Sequence, residues 1–233
     1  SLDLPPGSKI ITPACTFSTT LAPIIQLGFC PVFCDVGLSS YVPDTESILS
    51  LISDEVKAIM VPNLIGNKPN WDDLRDGLNE TGRGDIVIIE DSADTLTHTP
   101  STDISTTSFY ASHVITAGGG GGMVMFNSEN HRDRSLQYRD WGRVGDNSEI
   151  IDDRFNYSVD GIPYDHKFLY GVLGYNMKCC EMNAAFGLVQ LDRFKHFSKV
   201  RRNNIERYLD NLRAIPDLLL PDDSIKPNWL ALP

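Results

Sequence analysis

The run Ile86-Val87-Ile88-Ile89 constrains this chain more than any other feature. Four aliphatic residues in succession, ending on Glu90-Asp91, offer no polar face to solvent. A strand built from them must be covered on both sides. Further apolar runs at 9–13, 31–36 and 57–62 have the same character. Between them, 17–27, 45–52 and 71–78 carry apolar residues at helical spacing, and Asp44 is placed to cap the second. Strand and helix in turn predict an α/β protein whose mostly parallel sheet is covered by helices.

After residue 100 the pattern changes. A strand is expected at 104–110. Five glycines, Gly118 to Gly122, then precede a strand at 123–126. Such a run suits a tight turn or bulge where backbone approaches something closely. A polar amphipathic helix follows at 130–141. Residues 144–172 are acidic and rich in Asp, Gly and Tyr, and are expected to form one long loop. Residues 181–212 have helical spacing, with a break expected near His196. Residues 227–233 look like the opening of a strand.

Composition narrows the function classes. The 233 residues hold 41% hydrophobic and 22% charged side chains, so a disordered chain is excluded. With 20 Lys+Arg against 31 Asp+Glu, the net charge of −11 argues against nucleic acid as a partner. No apolar run approaches the roughly 20 residues of a membrane span, and no stretch resembles an export leader. The five cysteines (Cys15, Cys30, Cys34, Cys179 and Cys180) form no C-x-x-C pair, so no metal site is expected. They are expected to be small buried hydrophobes in a reducing, cytoplasmic setting.

In open α/β sheets ligands bind at the carboxyl ends of strands. Glu90-Asp91 ends one strand, and Ser108 to His113 ends another just before the glycines. A carboxylate there needs a partner to stay ionised, and the protonated ring nitrogen of a pyridoxal cofactor is one candidate. A helix cap or salt bridge explains Asp91 as well. A hydrogen-bonded structural histidine explains His113, and a plain turn explains the glycines.

Taken in order, these blocks resemble a known family. Ile89-Glu90-Asp91-Ser92-Ala93-Asp94 is similar to the strand end of the sugar-nucleotide aminotransferases and dehydrases of the DegT/StrS type, which are fold type I pyridoxal-phosphate enzymes. The segment Ser108-Phe109-Tyr110, with His113, Ile115-Thr116, Gly118 and Gly120-Gly121, resembles that family too. So do Leu173-Gly174-Tyr175-Asn176-Met177-Lys178, Pro13-Ala14 with Phe17-Ser18-Thr19-Thr20, and Asp140-Trp141-Gly142-Arg143. Pro163-Tyr164-Asp165-His166-Lys167 and Asn183-Ala184-Ala185 with Gly187-Leu188 and Gln190-Leu191 complete the set. The resemblance covers essentially the whole chain.

The resemblance implies a three-layer fold type I large domain, truncated at both ends. Residues 1–213 would be the cofactor-binding domain without its N-terminal phosphate-cup segment. Residues 214–233 would begin the small C-terminal domain. Asp91 would pair with the pyridine nitrogen of pyridoxal or pyridoxamine phosphate, Phe17 would stack on its ring, and Ser108 would donate to its phosphate. Asp94 would lie near the ring hydroxyl. Asn176 would reach the phosphate of a neighbouring subunit in a homodimer with shared sites. Arg143 and His166 would be weaker contacts to a nucleotide-sugar substrate.

The departures from the family pattern carry the finer expectation. His113 occupies the position where most members hold the lysine that forms a Schiff base with the cofactor. Histidine there resembles the branch that removes the C3 hydroxyl of an NDP-4-keto-6-deoxyhexose in deoxysugar or lipopolysaccharide O-antigen synthesis. It would serve as the base, because its pKa lies near neutrality. Members that carry a [2Fe-2S] cluster have a cysteine where this chain has Ala93, and further cysteines in the loop where it has Val144-Gly145-Asp146-Asn147. No cluster is therefore expected, and glutamate would be the amino donor. The family's glutamate within the glycine run is replaced by Gly119, and the connection from Asp94 to Asp103 is short. The alternatives are a sugar aminotransferase, which needs a usable lysine such as Lys167 or Lys178, and a catalytically inactive homologue acting as a dimer partner.

Overall fold

The computed structural model describes residues 2–145 and 148–233. By internal packing the chain divides into two units. The larger comprises Leu4–Asn127 and Glu181–Pro233, the smaller Ser1–Asp3 and Ser128–Cys180.

The larger unit holds a six-stranded sheet in the order β2-β1-β3-β4-β5-β6. Strands β1 (Lys9–Pro13), β2 (Cys30–Cys34), β3 (Val56–Pro62), β4 (Val87–Asp91) and β5 (Ile104–Ser108) run parallel. β6 (Gly122–Phe126) is antiparallel to β5 and ends the sheet. Side chains alternate between the faces. Ile11, Ile59, Val61 and Ile88 pack with Ile48 of α2 (Thr45–Leu49) and with Trp71, Leu74 and Leu78 of α3 (Trp71–Glu80). Their neighbours Ile10 and Ala58, with Met60 and Val87, pack with Ile24 of α1 (Ser18–Gln26). This is why the strands lack a polar face: helices cover both sides, giving the three layers expected.

Caps agree with the residue types. The Asp44 carboxylate accepts the Ser47 N–H at 2.7 Å, which holds its carboxyl below the usual carboxylate range. Asn70 accepts the Asp73 N–H at the start of α3. α2 is shorter than expected, because Leu51 and Ile52 bond three residues back and tighten the chain out of the α-helix. The glycine run is a tight turn ahead of β6. A Cβ on Gly122 would sit 2.7 Å from the Thr107 carbonyl oxygen, so that position admits only glycine.

Several expectations are corrected. The smaller unit opens with α4 (Glu129–Arg139), and residues 144–172 are not one loop: they hold α5 (Ile151–Arg154) and a hairpin of β7 (Tyr157–Val159) with β8 (Ile162–Tyr164). The hairpin turns on Asp160 and Gly161, both at positive φ (53° and 77°). α6 (Glu181–Leu212) continues through His196 without a break. Residues 227–233 form no strand; Trp229 is buried against Ile205 and Leu209 of α6. Of the cysteines only Cys34 is buried, its thiol pushed up to about 11 by desolvation. Cys30 opens the edge strand β2 and is exposed, as are Cys15, Cys179 and Cys180. Among the described residues no helix is long and apolar enough to cross a membrane.

Candidate active site

Three strands of the larger unit end side by side. In the parallel register Pro62 of β3 lies opposite Asp91 of β4, and Asp91 lies opposite Thr106 of β5. A cavity of about 830 Å³ opens at this carboxyl edge, and Phe17, Asp91, Asp94, Ser108 and His113 all line it. Five positions spread over 97 residues of sequence thus meet, as the strand-end rule predicts.

Asp91 is held by three donors. Its Oδ2 accepts from the Thr20 hydroxyl at 2.8 Å, and its Oδ1 accepts from the Thr106 hydroxyl and the Ala93 N–H, both at 3.2 Å. A carboxylate offers about four lone-pair sites, so one remains for a ring N–H⁺. Ser108 Oγ accepts the Tyr110 N–H at 3.2 Å, which leaves its own proton free to donate. Phe17 precedes α1 in an extended conformation and is 69% exposed, an aromatic surface with little protein over it.

Asp94 and His113 face one another. Asp94 Oδ1 lies 3.8 Å from His113 Nε2, within ion-pair reach, and Asp94 Oδ2 accepts the Ile65 N–H at 2.8 Å. Burial pushes the Asp94 carboxyl above the usual range and the charge of Asp91 adds to this; the Ile65 N–H and His113 act the other way. The His113 ring meets Tyr110 edge-on, with centroids 6.1 Å apart. Its Nδ1 is buried and has no hydrogen-bond partner among the described residues. Buried polar atoms are ordinarily paired, so this nitrogen is waiting for one. The spare acceptor on Asp91, the orphaned Nδ1, the open face of Phe17 and the cavity volume together fit a pyridoxal-type cofactor.

Behind the cavity wall, Glu90 is completely buried. It accepts from Asn63 (2.7 Å), Ser105 (2.8 Å), Thr97 (3.0 Å) and the Thr99 N–H (3.0 Å). Burial alone would raise its carboxyl, but these donors and the charge of Lys68 outweigh it and hold Glu90 below the usual range. The short connection after Asp94 is therefore fastened to a buried charge rather than loose.

The remaining expected residues belong to the smaller unit. Arg143 and His166 line a cavity of about 590 Å³ there. The Arg143 guanidinium stacks on Trp141 at 4.7 Å, and buried His166 meets Tyr157 edge-on. Asn176 is exposed, and its backbone pairs with Asp140. Lys167 pairs with Glu149, and Lys178 lies near Asp140 and the Trp141 ring. Neither lysine lines the cavity that holds Asp91 and His113. Asp146 and Asn147, at the expected cluster-ligand loop, lie outside the described residues.

Sequence reasoning missed Thr20, Thr106 and Ile65. Thr106 was within reach, because it shares a strand face with Ser108 two residues on. Thr20 lay inside a noted block and three residues from Phe17. No local signal announces that a backbone N–H, that of Ile65, holds Asp94.

Comparison with known proteins places the chain in a family. The chain is 35% identical to the lipopolysaccharide biosynthesis protein RfbH of Salmonella typhimurium, over 99% of this chain and 55% of that protein. It is 34% identical to the dTDP-4-dehydro-2,6-dideoxy-D-glucose 3-dehydratase of Saccharopolyspora spinosa, covering 97% of this chain and 51% of that enzyme. The chain spans about half the length of these curated relatives. Among solved structures, Escherichia coli GDP-4-keto-6-deoxy-D-mannose-3-dehydratase with bound hydrated PLP superposes with a TM-score of 0.82, at 28% identity, over 98% of this chain and 59% of that one. Proteins named as aminotransferases match as well. The family profile spans residues 1–232, and on that match the chain belongs to the DegT/DnrJ/EryC1/StrS aminotransferase family.

Proposed function

We propose that this chain is the cofactor-binding part of a pyridoxal/pyridoxamine-phosphate-dependent enzyme that removes the C3 hydroxyl of an NDP-4-keto-6-deoxyhexose, with His113 as its base. The observation that carries the reading is the occupant of the strand-end position. A histidine with a buried, unpartnered Nδ1 stands there, and no lysine lines the cavity among the described residues. When bound, the cofactor supplies an electron sink next to the sugar carbonyl.

The chain's own residues have these roles in the proposal. Asp91 holds the ring nitrogen protonated, and Thr20, Thr106 and the Ala93 N–H keep that carboxylate ionised and aimed. Phe17 covers one ring face, and Ser108 donates its hydroxyl to the phosphate. His113 takes a proton at Nδ1 and returns it, as an imidazole can do in both directions. Because imidazole forms no stable Schiff base with an aldehyde, the cofactor is held without a covalent link. Asn176 serves the phosphate of the second subunit of a homodimer. Arg143 and His166 contact the nucleotide sugar, glutamate regenerates the amino form, and no iron–sulfur cluster takes part.

The test is an absorbance titration of the purified protein with pyridoxal phosphate and, separately, pyridoxamine phosphate, before and after borohydride. Reversible binding with no reducible adduct is the expected result. A borohydride-trapped adduct on one lysine would turn the reading to an aminotransferase. Failure to bind either cofactor would leave an inactive homologue.

A further inference from the structure

Ile65 has a conformation its side chain does not favour. It is β-branched, yet sits at φ 58°, ψ 8° in the left-handed region. Nothing local requires this: the residues that follow are Gly66 and Asn67, and glycine could have taken the turn at 65 itself. Three contacts made by the same peptide region account for it. The Ile65 carbonyl accepts the Leu230 N–H at 2.7 Å. The Ile65 N–H points the other way, to Asp94 Oδ2 at 2.8 Å. Gly66, at φ 110°, lies so close beneath the 228–230 segment that a Cβ there would stand 2.8 Å from the Asn228 carbonyl oxygen and 3.0 Å from Trp229 Cα.

The 228–230 segment is itself anchored. Trp229 is buried against Ile205 and Leu209 of α6, and Asn228 donates to the Ser198 hydroxyl at 3.2 Å. Leu230 and Ile65 both line the cavity that holds His113. A continuous series of contacts therefore runs from the core of α6, through Trp229 and Leu230, across the Ile65 peptide, to Asp94 and then to His113.

We propose that Asp94 is a positioning residue for His113, and that the Asn228–Leu230 segment keeps it in place by holding the Ile65 peptide in its left-handed turn. Asp94 has two oxygens and two tasks. Oδ2 is fixed by the Ile65 N–H, so that Oδ1 faces His113 Nε2 and leaves Nδ1 as the nitrogen without a partner. If the 228–230 segment is released, Ile65 relaxes to an extended conformation, its N–H turns from Asp94, and the carboxylate is free to rotate away. The titratable groups around Asp94 and His113 are Asp91 on β4 and Tyr110 on the segment after β5. The proposal shares the cavity with the reading above and rests on it for the role of His113, but its geometry is tested without cofactor.

The experiment is NMR of the cofactor-free protein, following the Ile65 amide and the His113 ring nitrogens, the latter assigned with His113→Asn. In the native protein the Ile65 amide shift should titrate with Asp94, above the usual carboxylate range, in keeping with the direction in which burial moves that group. Asp94→Asn should abolish this titration and move the His113 ring-nitrogen resonances. Leu230→Pro removes the N–H given to Ile65, and with it the leucine side chain that lines the cavity, while restricting the backbone at 229–230. It should weaken the titration, speed Ile65 hydrogen exchange at least 10-fold, and move His113 in the same direction as Asp94→Asn. Gly66→Ala should do likewise where it folds. If Leu230→Pro leaves both the Ile65 titration and the His113 resonances as in the native protein, the strap is overturned. If Asp94→Asn leaves His113 unmoved, the positioning role is overturned. Either result stands whether or not a cofactor later binds.

Discussion

Two carboxylates of one short segment, Glu90 and Asp94, are shifted in opposite directions because they are surrounded differently. Asp94 is raised, so the native state binds its proton more tightly than the unfolded chain does. Stability then falls as pH climbs from the usual carboxylate range through the raised value. Asp94→Asn, which keeps an acceptor for the Ile65 N–H, should raise the melting temperature at pH 7–8 and have little effect below the usual carboxylate range. Glu90 is lowered, so its contribution is complete above the usual range and is lost as pH falls through its folded value. Glu90→Gln should cost roughly 2–4 kcal/mol at neutral pH in urea unfolding, with a smaller penalty in acid. Thr20→Val removes one of three donors to Asp91 and should weaken cofactor affinity about 10-fold, from a charged hydrogen bond of about 1.5 kcal/mol. His113→Lys alone should yield little borohydride-trappable adduct at pH 7, since Asp94 would keep the new ammonium protonated. Combining it with Asp94→Asn should increase the trapped fraction.

At the scale of elements, legibility followed periodicity. The five parallel strands and α1 to α3 were plain because most of the apolar positions in them pack against a sheet face or a helix. The three strand ends that build the cavity could be read from the rule about carboxyl edges. The β7–β8 hairpin carries an equally legible signal, Tyr-Ser-Val and Ile-Pro-Tyr flanking Asp160-Gly161, but it is embedded in an acidic stretch whose composition reads as loop. Gly161→Ala, at φ 77°, should cost about 1 kcal/mol in the stability of that hairpin, measured by hydrogen exchange of its strands. What no periodicity could disclose is a contact between segments far apart in sequence, such as Leu230 on Ile65. These arise only when the chain folds, and they decide where Asp94 points.

For the whole molecule, belonging to the family is firmer than any one activity, since relatives carry out both dehydration and amino transfer. The N-terminal half of α6 exposes Met182, Phe186, Leu188, Val189 and Leu191, apolar side chains around much of its circumference, consistent with the proposed homodimer. Sedimentation at increasing concentration should show association, and Leu188→Glu should reduce it. The sheet itself has a further consequence for handling. It ends at β6, whose sequence Gly122-Met-Val-Met-Phe126 carries no charge and exposes Met123 and Val124. An uncharged strand at the end of a sheet is a template on which a strand from another chain can nucleate growth. Precipitation during refolding would then begin at this edge and not at the cavity. A single lysine, Val124→Lys, should raise the recovered yield while leaving cofactor absorbance unchanged.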